Sequence, residues 1–289
     1  MSFEKFNQEE VPAENETKER KRKHSPKRLM LAVEAHLIPF LSNIKVLGKE
    51  HLKEIPPDKK VVFAVTHLSD LDIALAIRTL GNDFDLGISN VSYHHNFFED
   101  PSGNMAITIG GKENFFPIDY APGSKAKPFN PDNFEPMAEA MEKGKEMIVA
   151  AHNPAKGNKL TKGGVGAVYL AQLADAVVLP VAIDTKSEHP QLFGENTWKN
   201  IKERPNVDVK IGEPINFEHI EGIERFKEIF DKRERKEKLT PEDIAEFSTL
   251  SAALKTESEQ VMESLASMLP EEKRGPYAEK KVDSPKPER

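Results

Sequence analysis

The chain has no cysteine among its 289 residues. That excludes disulfides, thiolate zinc sites and any covalent intermediate carried on a cysteine sulfur. There is no G-x-S-x-G elbow to expose a serine nucleophile, and no H-E-x-x-H spacing to bind zinc. His94 and His95 lie near Glu99 and Asp100, but adjacent side chains point apart on a strand, so the segment reads as a polar loop and no metal is expected. The longest apolar stretch, Leu29 to Leu41, contains Glu34, His36 and Pro39 and is too short and too interrupted to span a bilayer. The start, Met1 to Lys5, runs into acidic residues without an apolar core, so no signal peptide is expected. Aromatic residues amount to 7% and none interleaves with the basic cluster near the start, which argues against a nucleic-acid surface.

What is present suffices for a core. Hydrophobic residues make up 38% and charged residues 31%, a surface-rich composition for one large domain or two small ones. The charge is uneven. Seven basic residues from Lys18 to Arg28 face only Glu19, giving that segment +6 and leaving −13 for the rest of a chain whose total is −7. Residues 1–28 read as a disordered basic tail. Leu29, Val33, Leu37 and Leu41 follow at helical spacing. A basic cluster followed by an amphipathic helix fits peripheral attachment to an anionic membrane surface through residues 18–41, and equally fits a first core-packing helix.

The chain is organised around Val61 to Asp72. The run Val61-Val62-Phe63-Ala64-Val65 has the composition of a strand buried on both faces and ends at Thr66-His67. Apolar residues from Ile73 to Leu80 recur at helical spacing, with Gly81 as a stop. His67 therefore sits where a strand hands over to a helix, with Asp72 at the helix start. A neutral imidazole can take a proton from a hydroxyl, and a carboxylate near its other nitrogen fixes the tautomer. Ser69-x-x-Asp72 is also a capping box, in which case Asp72 closes the helix end and His67 is an ordinary loop residue.

Further strands are expected at Phe84 to Ser89, Met105 to Ile109, Phe115 to Asp119, Met147 to Ala151, Ala176 to Ile183 and Val207 to Ile215. Helices are expected from about Met137 to Lys143 and from Gly166 to Ala174. Lys227 to Lys238 reads as a charged, solvated helix or linker. Thr240-Pro241-Glu242-Asp243 opens a long helix, with threonine as cap and proline in first position. Its apolar stripe is Phe247, Leu250, Leu254, Val261, Leu265 and Met268. Alternating strands and helices predict an α/β domain over residues 29–238. A C-terminal helix at 239–270 packs on it, and 271–289 form a tail.

Gly48-x-Glu50-x-Leu52-x-x-Ile55-Pro56, the apolar strand and His67-x4-Asp72 together resemble the entry to the lysophospholipid and glycerol-phosphate acyltransferase family. Val177-x-x-Pro180-Val181-x-Ile183, Ile211-Gly212-x-Pro214-Ile215 and Leu269-Pro270 through Arg274-Gly275-Pro276-Tyr277 resemble later family blocks. The resemblance covers roughly Asn43 to Ile215 plus the short tail. It implies the acyltransferase fold, a mixed sheet flanked by helices, as a single domain. It implies His67 as the base, Asp72 as the residue orienting it, a long-chain acyl thioester of CoA or acyl carrier protein as co-substrate with no resident cofactor, and a lipid acceptor at the inner membrane face.

Two departures mark the acceptor side. Where the family carries an arginine that contacts the acceptor phosphate, this chain has Tyr120, with Lys112 as the local cation. Where the family carries F-P-E-G-T-R-S, this chain reads Asn153-Pro154-Ala155-Lys156-Gly157. Lys156, Lys159, Lys162 and Gly163 stand near a helix N-terminus that would favour an anion, and they also fit a lysine-rich surface loop. Two expectations follow: an O-acyltransferase that disfavours glycerol 3-phosphate and lysophosphatidic acid, or a catalytically weak relative that binds lipid or acyl chains.

Overall fold

The computed structural model describes residues 43–69, 72–81, 86–90, 114–118, 129–153, 158–186, 204 and 206–278. Seven strands form one sheet: β1 (Asn43–Leu47), β2 (Lys60–Val65), β3 (Leu86–Asn90), β4 (Phe115–Pro117), β5 (Glu146–Ala150), β6 (Ala176–Thr185) and β7 (Asn206–Ile211). Their order is β1-β7-β6-β2-β5-β3-β4. Every neighbouring pair is parallel except β6 and β7. The expected mixed α/β sheet is therefore present, and β2 lies at its middle.

The burial of β2 explains its composition. Val62 and Ala64 face a core shared with Met147, Val149, Val178 and Ala182. Val61, Phe63 and Val65 face the opposite core with Ile148, Leu179, Val181 and Val209. A strand covered on both faces cannot alternate apolar with polar residues, so it reads as an unbroken apolar run. The second face is covered by α1 (Asp72–Leu80) through Leu75, Ala76 and Leu80. The first is covered by α2 (Glu135–Glu142), α3 (Gly166–Ala174), α4 (Ile223–Glu234) and α5 (Pro241–Ser267).

The start of α5 matches its sequence signal. Asp243 N–H donates to Thr240 Oγ1 at 3.0 Å, Thr240 N–H donates to the Asp243 carboxylate at 3.1 Å, and Pro241 follows the cap. Two elements differ from expectation. The helix expected from Lys227 starts earlier, and Ile223, Phe226 and Ile229 are buried against the core, so it is amphipathic rather than solvated. The strand expected to reach Ile215 ends at Ile211. Beyond it, Gly212 N–H bonds the Pro180 carbonyl and Ile215 pairs antiparallel with Val178, so the chain keeps running along β6 in the same sense, out of register with β7 by one residue, without continuing as regular strand.

Residues 1–42, the Met105–Ile109 stretch, His94, His95, Lys112, Tyr120, Pro154 and Lys156 lie outside the described residues. Among the described residues, no helix is long and apolar enough to cross a membrane.

Candidate functional site

The carboxyl ends of β2 and β5 are fastened to each other and to the longer β6 where the parallel pairing of these strands runs out, the usual location of a crevice in such sheets. Thr66 N–H donates to the Val181 carbonyl at 3.1 Å, and Ala151 N–H donates to the Val65 carbonyl at 2.9 Å. The buried Thr66 hydroxyl accepts from Ile183 N–H at 2.9 Å. His67 is the next residue, half-buried at the head of the turn into α1.

The turn is built by Asp72. Its Oδ2 accepts Leu68 N–H at 2.6 Å and Ser69 N–H at 3.2 Å, and its Oδ1 accepts the Ser69 hydroxyl at 2.5 Å. This is half of a capping box. The carboxylate reaches back to the Ser69 amide, but the serine hydroxyl donates to the carboxylate instead of accepting from the helix. Asp72 is fully buried. Burial pushes its carboxyl up to about 7, against the opposing pull of the Ser69 hydroxyl, the two amides and the nearby Lys273 ammonium.

The His67 ring is tied to the same turn. Its Nδ1 lies 3.2 Å from the Ser69 carbonyl oxygen. A carbonyl can only accept, so Nδ1 carries the proton and Nε2 carries the lone pair. The Asp72 side chain is spent on Leu68 and Ser69, and it orients His67 through the turn it fixes.

His152 joins this turn from β5. It is 2% exposed, and its Nε2 lies 3.1 Å from the backbone nitrogen of His67. Its Nδ1 lies 2.7 Å from the Asn153 carbonyl and 3.2 Å from the Thr161 hydroxyl. Burial pushes its imidazole down to about 4, opposed by the Asn153 carbonyl and reinforced by the nearby His67. The sequence offered one signal for it, a histidine placed just past a buried strand as His67 is.

The lysine loop reaches the site through Thr161. Lys159 and Lys162 are exposed on either side of that residue. Gly163 is set by packing: a Cβ there would lie 2.4 Å from Met262 Cγ and 2.9 Å from Ser258 Oγ. Its N–H donates to the Tyr277 hydroxyl at 3.3 Å.

The C-terminal segment straps this loop. Leu160 N–H donates to the Lys273 carbonyl at 2.8 Å. Gly275 has φ +54° and passes so close that a Cβ would lie 2.1 Å from the Leu160 carbonyl oxygen, which admits only glycine. Lys273 Nζ reaches Asp184 Oδ1 at 2.6 Å and the Thr185 carbonyl at 2.7 Å, a nearly buried ion pair at the end of β6. Among the described residues, no group of three or more histidine, aspartate or glutamate side chains is arranged to hold a metal ion.

No family model matches the chain, and no curated protein sequence matches it. Among solved structures, the chain is similar to the crystal structure of the 1-acyl-sn-glycerophosphate (LPA) acyltransferase PlsC from Thermotoga maritima. The identity is 18%, over 72% of this chain and 77% of that one, with a TM-score of 0.42.

Proposed function

We propose that the chain is an O-acyltransferase that moves a fatty acyl group from a CoA or acyl carrier protein thioester to the hydroxyl of a lysophospholipid-like acceptor. The observation that carries this reading is the His67 ring, whose Nδ1 proton is held by the Ser69 carbonyl while Nε2 keeps its lone pair at the end of the central strand. The H-x4-D resemblance adds the reaction class.

His67 Nε2 takes the acceptor's hydroxyl proton as the hydroxyl oxygen bonds to the thioester carbonyl carbon. The tetrahedral intermediate then collapses, the carbon–sulfur bond breaks, and the imidazolium returns its proton to the departing thiolate. Ester and thiol are the products. Asp72 keeps the turn, and with it the ring, in one geometry. The amides of Leu68 and Ser69 are committed to Asp72, so the developing oxyanion is met by other donors.

The acceptor head group is neutral, zwitterionic or larger than glycerol 3-phosphate. A bidentate guanidinium–phosphate contact is not reproduced by a lysine, and Lys112, Lys156, Lys159 and Lys162 offer only loose anion attraction. The basic arm and the following apolar segment, residues 18–41, bring the enzyme to an anionic membrane surface at the inner face.

The test is thiol release from palmitoyl-CoA, followed with a thiol-reactive dye, across a panel of lysophospholipid acceptors. The chain's lack of cysteine removes any protein background. Acceptor-dependent thiol release with ester formed in equal amount is expected, strongest for acceptors without a terminal phosphate. Lipid binding with no release would favour the catalytically weak, lipid-binding relative that the missing arginines permit.

A further inference from the structure

We infer that His152 is a positioning residue of this site, holding the backbone N–H of His67 with its ring Nε2 and so fixing where the His67 ring is carried. The inference rests on the reading of His67 as the base. Its grounds are the ladder geometry of β2 and β5. In a parallel pair, the bond from Ala151 N–H to the Val65 carbonyl would be followed by one from His67 N–H to the Ala151 carbonyl. That carbonyl is taken by Gly164 N–H at 2.9 Å. His67 N–H, one residue past the strand, is instead received at 3.1 Å by the side chain of His152.

Only one state of the imidazole can do this. The Asn153 carbonyl at 2.7 Å accepts the Nδ1 proton, which leaves Nε2 as the acceptor that His67 N–H requires. With both nitrogens engaged and the side chain buried, the ring has a single orientation. The Thr161 hydroxyl, 3.2 Å from Nδ1 and 3.2 Å from the Asn153 carbonyl, ties the loop of Lys159 and Lys162 to the same ring. His152 thus joins three segments: the turn after β2, the end of β5 and the loop before α3.

The test has an arm that needs no substrate. In the wild-type chain at neutral pH, imidazole nitrogen NMR is expected to find His152 protonated on Nδ1; protonation on Nε2 would overturn the inference without any variant having to fold. In His152→Leu, amide exchange at His67 N–H is expected to accelerate about tenfold relative to β6 amides, and His152→Gln, which keeps an acceptor near the Nε2 position, is expected to restore most of the protection. Unchanged exchange in His152→Leu would overturn the inference. In the kinetic arm, His152→Leu is expected to lower kcat about 100-fold with KM for the thioester unchanged, the loss set by a displaced base, and His152→Gln to recover part of it. Wild-type kcat in His152→Leu would overturn the positioning role. A wild-type chain without transfer activity would sink the proposed function alone, and the NMR and exchange results would still decide the inference.

Discussion

Replacing Asp72 by asparagine separates two opposed pH effects built into the His67 turn. Asp72 is fully buried, and burial raises its carboxyl from 3.8 to about 7. Between those values the folded chain keeps a proton that the unfolded chain has released. The contribution is therefore complete below about pH 4 and is lost as pH rises through 7, at about 1.4 kcal/mol per pH unit. His152 works the other way. Its pKa falls from 6.5 to about 4, so the unfolded chain takes up a proton that the folded chain refuses, and stability falls on acidification from pH 6.5 to 4. In the wild type the two slopes oppose each other over that range. In Asp72→Asn the side-chain oxygen still accepts a backbone amide and only the titration is lost. Urea unfolding from pH 4.5 to 7.5 should show the wild type gaining most over Asp72→Asn at the acid end, the difference shrinking by about 1.4 kcal/mol per pH unit toward pH 7. A difference that does not change with pH would mean that Asp72 ionises as an ordinary surface carboxylate, and would refute the reasoning.

Three further outcomes are expected. Lys273→Met leaves the 2%-exposed Asp184 carboxylate without its ammonium and should cost about 3–5 kcal/mol; thermal unfolding reads it, and a loss under about 1 kcal/mol would mean that Asp184 finds another partner. Deleting residues 1–28 should weaken binding to anionic vesicles, most at low salt where screening is weak, and leave acyl transfer to a soluble acceptor unchanged; equal vesicle binding at low salt would remove the membrane role of the arm. Lysophosphatidic acid should be a poor acceptor by kcat/KM compared with zwitterionic lysophospholipids, and a clear preference for it retained in high salt would show that another group replaces the missing arginines.

The parts of this molecule that were legible in its sequence are those decided by neighbours along the chain. Val61 to Val65 announced a central strand because burial on both faces leaves no room for polar alternation, and Thr240 with Pro241 announced a helix start because the cap is local. The shape of the Asp72 turn was half legible, since Ser69-x-x-Asp72 signals a cap but does not say which side chain donates. The rest depends on distant partners. His152 meets His67 across 85 residues, and Lys273 meets Asp184 across 89; nothing local marks a lysine in a charged tail as the one that pairs with a buried carboxylate. Helix α4 was obscured by its own surface, because its charged residues outnumber Ile223, Phe226 and Ile229, the three side chains buried against the core.

The central claim is that His67 removes the acceptor's proton, and the rate of His67→Ala tests it most directly. With saturating palmitoyl-CoA and the best acceptor of the panel, and with the variant's unfolding midpoint unchanged, the rate should fall by about 10²–10⁴-fold, the range that a positioned general base supplies. A His67→Ala chain that forms ester at the wild-type rate would contradict the account.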